Sequence, residues 1–272
     1  MRSITTTAIS LLTEGRLIVG AAAAAITVVT AHALGTTAAP QLLWTVFAST
    51  VLIYDLDRIC DRRGEAVGVP RTVWSTLILA GITLLVSLPQ LRSETVLAVL
   101  SGLPLCALYA IPIPRLRGAR PKDHPVGKVL FVAVAVTIAT VFLPLLEGFG
   151  AGDLLNLPAG RFLLAGGWVF LAILGNAIAC DLRDLPHDLP SGLRTLPAIL
   201  GSTGTRSLLI TANVIFLVAC ACAIAFGELP IETILPFAMA LIALRFLRNH
   251  HPRWCWSLAL DGAFLSMLLV FS

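Results

Sequence analysis

Two short stretches concentrate the acidic residues of this chain and set the chemistry it could do. The first is Tyr54-Asp55-Leu56-Asp57-Arg58-Ile59-Cys60-Asp61, and the second is Asp181-Leu182-Arg183-Asp184-Leu185-Pro186-His187-Asp188. Asp57 and Asp61 are spaced i, i+4, so a helix puts them one turn apart on one face. Asp181, Asp184 and Asp188 follow i, i+3, i+7 and share a face in the same way, although Pro186 is expected to bend or unwind the segment that carries Asp188. Like charges stacked along a helix repel unless something cationic sits among them. Carboxylates grouped at helix ends suit Mg²⁺, a hard ion that takes oxygen ligands and bridges to substrate phosphates. Arg58, Arg62, Arg115, Arg117, Lys128 and Arg194 stand near the two motifs and suit an anionic ligand. A single DxxxD reads equally well as solvated charge paired with its neighbours. Two motifs at matching helix ends favour a site.

The elements that position these residues are read from composition. Of 272 residues, 57% are hydrophobic and only 12% charged, about half the charged share of a soluble domain, and the mean hydropathy is +0.92. Apolar runs fall at about 16–34, 38–56, 73–91, 95–113, 126–145, 161–180, 205–226, 229–247 and 254–271, each the length of a bilayer span. The expected fold is all-α, a polytopic membrane bundle of about nine transmembrane helices forming one domain over residues 1–272. Gly35 marks a tight hairpin between the first two spans. The apolar stretch from Leu17 to Thr30 is expected to be a retained first helix rather than a cleaved leader, since the flank before it mixes Arg2, Glu14 and Arg16.

Arginine and lysine placement orients the bundle. Of 19 basic residues, only Arg92 and Arg161 fall on the side opposite the acidic motifs, so the motif-bearing side is expected to be cytoplasmic, with the N-terminus inside. This distribution explains the net charge of +4 without a nucleic-acid partner. The six cysteines form no CxxC pair and read as small packing residues. Trp254 and Trp256 fit an interfacial anchor beside the basic turn holding His250 and His251. Asp261 lies near the middle of the ninth span, where a lone carboxylate is costly; it is read as catalytic, as protonated, or as hydrogen-bonded to a neighbouring helix, with Asn213 as the expected partner. Asn176 lies inward of Asp181 and is a candidate substrate contact. His187 is either a base or a loop residue.

The second motif continues through Gly192, Thr195-Leu196-Pro197 and Gly201, giving DxxDxxxDxxxGxxTLPxxxG. This stretch resembles the second signature of the UbiA superfamily of intramembrane prenyltransferases, and the nine-span, N-inside layout is similar too. The first motif departs from the family's NDxxDxxxD: Ile53 and Tyr54 stand where Asn and Asp are usual, and Asp55 faces about 100° away from position 54 on a helix, so that it either moves in as a ligand through a local distortion or faces solvent or headgroups. Tyr109 resembles the tyrosine of the family's YxxxK element, with Ile113 in the lysine position and Arg115 the nearest cation. Lys128 looks like the lysine found in many members at the start of span five. The resemblance implies Mg²⁺ held by Asp57, Asp61, Asp181, Asp184 and Asp188, and a prenyl diphosphate contacted by Arg58, Tyr109, Arg115, Lys128, Asn176 and Arg194. It also implies an aromatic or other lipophilic acceptor, a site opening on the cytoplasmic face of the inner (plasma) membrane, and an apolar bundle that keeps water from the allylic cation. Two other readings remain open: a UbiA-type terpene cyclase with no acceptor, and a transporter, which would carry its ionisable groups at mid-membrane depth.

Overall fold

The computed structural model describes residues 17–61, 69–110, 124–150, 152, 159–190, 192–248 and 251–271. Among them are nine helical units. They are α1 (Leu17–Ala33), α2 (Pro40–Asp61), α3 (Arg71–Ser87), α4 (Ser93–Ala110), α5 (residues 125–149), α6 (Ala159–Asp188), α7 (Leu196–Ala225), α8 (residues 231–246, opening with a 3₁₀ turn) and α9 (Arg253–Val270). The units at residues 71–90, α5, α6, α7 and α9 are long and apolar enough to cross a bilayer, and two further apolar stretches, α1 and residues 93–106, are shorter. α2 continues as a helix through the charges of the first motif, where its apolar run ends.

The helices follow one another around a bundle, except that α3 and α4 both pack on α2 and α4 goes on to meet α5. α1 packs on α2, α2 on α3 and α4, α5 on α6, α6 on α7, α7 on α8, and α8 on α9, which returns to pack on α1. The predicted hairpin is present: Gly35 takes a positive φ of 75°, and Pro40 opens α2 where a missing N–H costs nothing. Close approach of α1 and α2 depends on small residues, for a Cβ on Gly20 would fall 3.0 Å from the Phe47 carbonyl. One apolar cluster, containing Ile26, Trp168, Phe237 and Met267, fills the end away from the motifs. A second, containing Leu182, Leu209, Leu244 and Trp256, packs α6 through α9 beside the motif end.

α5 is regular except at Ile138–Phe142, which winds as a π-helix. Pro144 follows at once and has no N–H to offer the carbonyl four residues back, that of Thr140. The Thr30 hydroxyl on α1 lies against this carbonyl, so a defect in one helix is closed by another. α7 begins at Leu196 rather than near residue 205, because its first turn is set off by Gly201 at φ 73° and ψ 164°; the apolar pattern catches only the part beyond that break. α6 also differs from expectation. It stays helical through Pro186 to Asp188, since a proline this close to a helix end disturbs only the final turn.

Candidate active site

α2 and α6 each carry their aspartates in their last two turns, and Tyr54 on α2 comes within electrostatic reach of Cys180 and Arg183 on α6. Asp181, 3% exposed, accepts a hydrogen bond from Lys128 Nζ at 2.5 Å between its Oδ1 and the lysine. Lys128 sits in the first turn of α5, started by Pro125 and capped by His124, whose ring accepts from the Gly127 N–H. The same ammonium is within electrostatic reach of Asp184 and Asp188. Asp184 is clamped by arginine: Arg183 Nε and Nη2 donate to its two oxygens at 3.0 and 2.7 Å, and Arg253 from α9 lies 3.2 Å from Oδ1. Arg183 Nη1 also reaches Ser257 Oγ at 3.4 Å, tying α6 to α9.

On α2, Asp57 and Arg58 are half-buried on the turn that ends the helix. Asp61 is its last residue, and its side chain lies outside the described residues, as does Arg115. Tyr54, one turn inward of Asp57, is within electrostatic reach of Asp57, Arg183, Cys180 and Asp261. It links the face of the first motif to that of the second. Tyr109 is buried on α4, stacked on Phe131 of α5 with ring centroids 4.5 Å apart and planes at 12°. Arg194 is exposed in the stretch between α6 and α7.

Three expectations are corrected. Asp55 faces neither solvent nor headgroups: it is fully buried against α3, where Thr76 Oγ1 donates to its Oδ2 at 2.5 Å. The partner of Asp261 is Asn176, whose Nδ2 donates to Oδ1 at 3.0 Å, whereas Asn213 turns back to the Leu209 carbonyl of its own helix. Asp188 sits on continuous helix rather than on an unwound segment. Sequence reasoning also missed Arg183 and Arg253 as holders of Asp184. The only signal was their charge, because adjacency in a helix does not say which way a long side chain wraps.

Whether these residues suit a divalent ion is answered by Asp181. Its Oδ2 is buried and has no hydrogen-bond partner among the described residues, and an unmatched carboxylate oxygen in a dry setting is costly. The donors around it are carboxylates, the hard oxygen set that Mg²⁺ takes. Among the described residues, no three acidic, histidine or cysteine side chains converge closely enough to chelate an ion on their own. Lys128, Arg183 and Arg253 draw the second-motif carboxylates towards themselves instead. The donor chemistry fits the ion, with Lys128 paired to Asp181 and the two arginines to Asp184.

A bundle of apolar helices, several of them long enough to cross a bilayer, with the second-motif carboxylates and their cations gathered at one end of α6, defines a multi-pass integral membrane protein. Residues 65–268 match the model of the UbiA prenyltransferase family, and the chain belongs to that family. The match begins beyond Asp57 and Asp61, past the motif that departs from the family pattern. The fold is similar to a UbiA homolog from Aeropyrum pernix K1 in its apo form, with a TM-score of 0.65 and 15% identity over 94% of this chain and 98% of that one. It is also similar to a UbiA homolog from Archaeoglobus fulgidus bound to GPP and Mg²⁺, with a TM-score of 0.56 and 16% identity over 94% and 97% of the two chains. A digeranylgeranylglyceryl phosphate synthase is likewise similar, at a TM-score of 0.51 and 12% identity over 98% and 97%. Among curated proteins none matches this sequence.

Proposed function

We propose that this membrane prenyltransferase binds a prenyl diphosphate with Mg²⁺ between Asp57 and Asp61 on α2 and Asp181, Asp184 and Asp188 on α6, and passes the prenyl group to a lipophilic acceptor. Bound Mg²⁺ would supply charge stabilisation for the departing diphosphate. Lys128, Arg58 and Arg194, with Arg115 from the segment outside the described residues, contribute donors to the same anion. Tyr109 and Asn176 contact the substrate inward of them. Apolar helices around the allylic carbon exclude water and so protect the cation from hydrolysis. The site opens on the cytoplasmic side of the inner membrane, as the distribution of basic residues supports.

The observation that carries this reading is the buried Oδ2 of Asp181, which has no hydrogen-bond partner among the described residues, beside a lysine on its other oxygen. The test is diphosphate release by the purified protein from geranyl, farnesyl and geranylgeranyl diphosphates. Release is expected to require Mg²⁺, to stop with EDTA and to be lost in Asp181→Asn. Full turnover in EDTA would sink the reading.

A second reading keeps the same metal site and drops the acceptor, making the chain a cyclase. It is favoured by Ile53 and Tyr54 standing where the family usually carries Asn and Asp. The product of the same assay separates the two: a cyclised hydrocarbon or alcohol formed without acceptor supports the cyclase.

A further inference from the structure

Asp261 is a buried carboxylate to which the diphosphate reading gives no task. It is 6% exposed on α9, and its neighbours Leu260, Ala263 and Phe264 are packed in the apolar interior. A carboxylate at such a place is costly, and an aliphatic side chain would fill the space without that cost. The bond from Asn176 offsets part of it. Since a carboxylate only accepts, the Asn176 amide must present its Nδ2 to Asp261 and turn its carbonyl elsewhere. That carbonyl oxygen is buried and has no donor among the described residues. Two oxygens therefore lie close together, one able to take a proton and one lacking a hydrogen bond. A group bearing an O–H could donate its one proton to either of them, and at Asp261 could also surrender it.

The depth is suitable. Asn176 lies five residues inward of Asp181, about 7.5 Å along the helix, and Tyr54 three residues inward of Asp57, about 4.5 Å. Tyr54, Asp261 and Arg183 are within electrostatic reach of one another, so this polar layer continues inward from the carboxylates. The carbon of a prenyl diphosphate that becomes electrophilic is one bond from its diphosphate oxygen, which puts it just inward of the acids. Resting on the diphosphate reading, we propose that Asn176 and Asp261 form the acceptor half of the site and receive the hydroxyl of an uncharged, apolar molecule. The acceptor's electron pair forms the bond to the prenyl carbon, the carbon–oxygen bond to diphosphate breaks with its pair going to the diphosphate, and the hydroxyl proton passes to Asp261. A negatively charged acceptor group is disfavoured beside Asp261, and the apolar packing around it favours a molecule with little other polarity.

The test uses the full chain in lipid nanodiscs with Mg²⁺ and geranylgeranyl diphosphate. In separate arms 2-naphthol and 1-octanol serve as aromatic and aliphatic hydroxyl probes. Released diphosphate and prenylated probe are both measured, and their ratio is the readout. The wild type is expected to prenylate at least one probe. Asp261→Asn, which keeps the shape and the contact to Asn176, should lower the ratio about a hundredfold, in the range for loss of a proton acceptor. Asn176→Leu, a second variant at the same layer, should raise the probe concentration needed for half-maximal product. Wild-type ratios in both variants overturn the proposal. So does a wild type that releases diphosphate yet prenylates neither probe, an outcome that leaves the metal and diphosphate reading standing. No diphosphate release from the wild type overturns both.

Discussion

Lys128 on α5 and Asp181 on α6 are joined at 2.5 Å, with the carboxylate almost wholly buried and the lysine partly exposed. The pair fixes the register of two helices at the entrance to the site, and it sets a cation beside the acid proposed to hold Mg²⁺. Lys128→Met leaves that acid without its counter-charge. The expected cost is about 1–3 kcal/mol, below the figure for a fully buried pair because the lysine end meets solvent. Adding Asp181→Asn should recover most of the lost thermal stability in detergent and none of the diphosphate release. Recovery of both would mean that the pair is structural only.

Arg183 grips both oxygens of Asp184, an arrangement that lysine cannot reproduce with a single ammonium. Residues that orient a metal-binding carboxylate typically contribute about 10–100-fold in metal affinity or activity. Arg183→Lys is therefore expected to raise the Mg²⁺ concentration for half-maximal diphosphate release by about tenfold. The helical signal in circular dichroism should not change. An unaltered Mg²⁺ titration would remove Arg183 from the site.

Asp55 and Asp57 are two residues apart and are expected to answer differently to the same change. Asp55→Asn weakens the bond from Thr76 on α3 and should lower the melting temperature. Thr76→Val should do the same, and the double variant should cost less than the sum, the signature of a direct pair. Activity per folded molecule should persist in all three. Asp57→Asn should lose diphosphate release at an unchanged melting temperature. Equal loss of release in Asp55→Asn would place Asp55 among the ligands.

Thr30→Val removes the hydroxyl that meets the Thr140 carbonyl. Interhelical hydrogen bonds in bilayers average about 0.6 kcal/mol and reach about 1.7, so a loss within that range is expected, with Thr30→Ser close to wild type. Thermal denaturation in lipid nanodiscs measures it. A Thr30→Val protein as stable as wild type would show that the carbonyl finds another donor.

Much of this arrangement was legible in the residues. Apolar run length gives the helices, and the spacing of Asp181, Asp184 and Asp188 gives one face of α6. The helical offset of Asp55 also shows that it leaves the face of Asp57. What it cannot show is the contact on the other side, because Thr76 arrives from a separate helix. The partner of Asp261 was misassigned for a similar reason. Asn176 and Asn213 are equally polar in sequence, and only packing shows that one reaches across to α9 while the other bonds within its own helix. Pro186 misled because the rule against proline inside a helix loses force in the last turn. The grip of Arg183 on Asp184 depends on side-chain wrapping, which spacing does not encode.

The return of α9 onto α1 has a consequence for biosynthesis. Helices enter the membrane in order as the chain is made, and α9 supplies both Asp261 and Arg253. Until it arrives, α1 lacks a neighbour, Asn176 has no carboxylate to meet and Asp184 has one arginine instead of two. A partly made chain could thus gather the aspartates of α2 and α6 while lacking the groups that complete their surroundings. Assembly of the full set of groups around the α6 aspartates is in this way tied to completion of translation through the ninth helix.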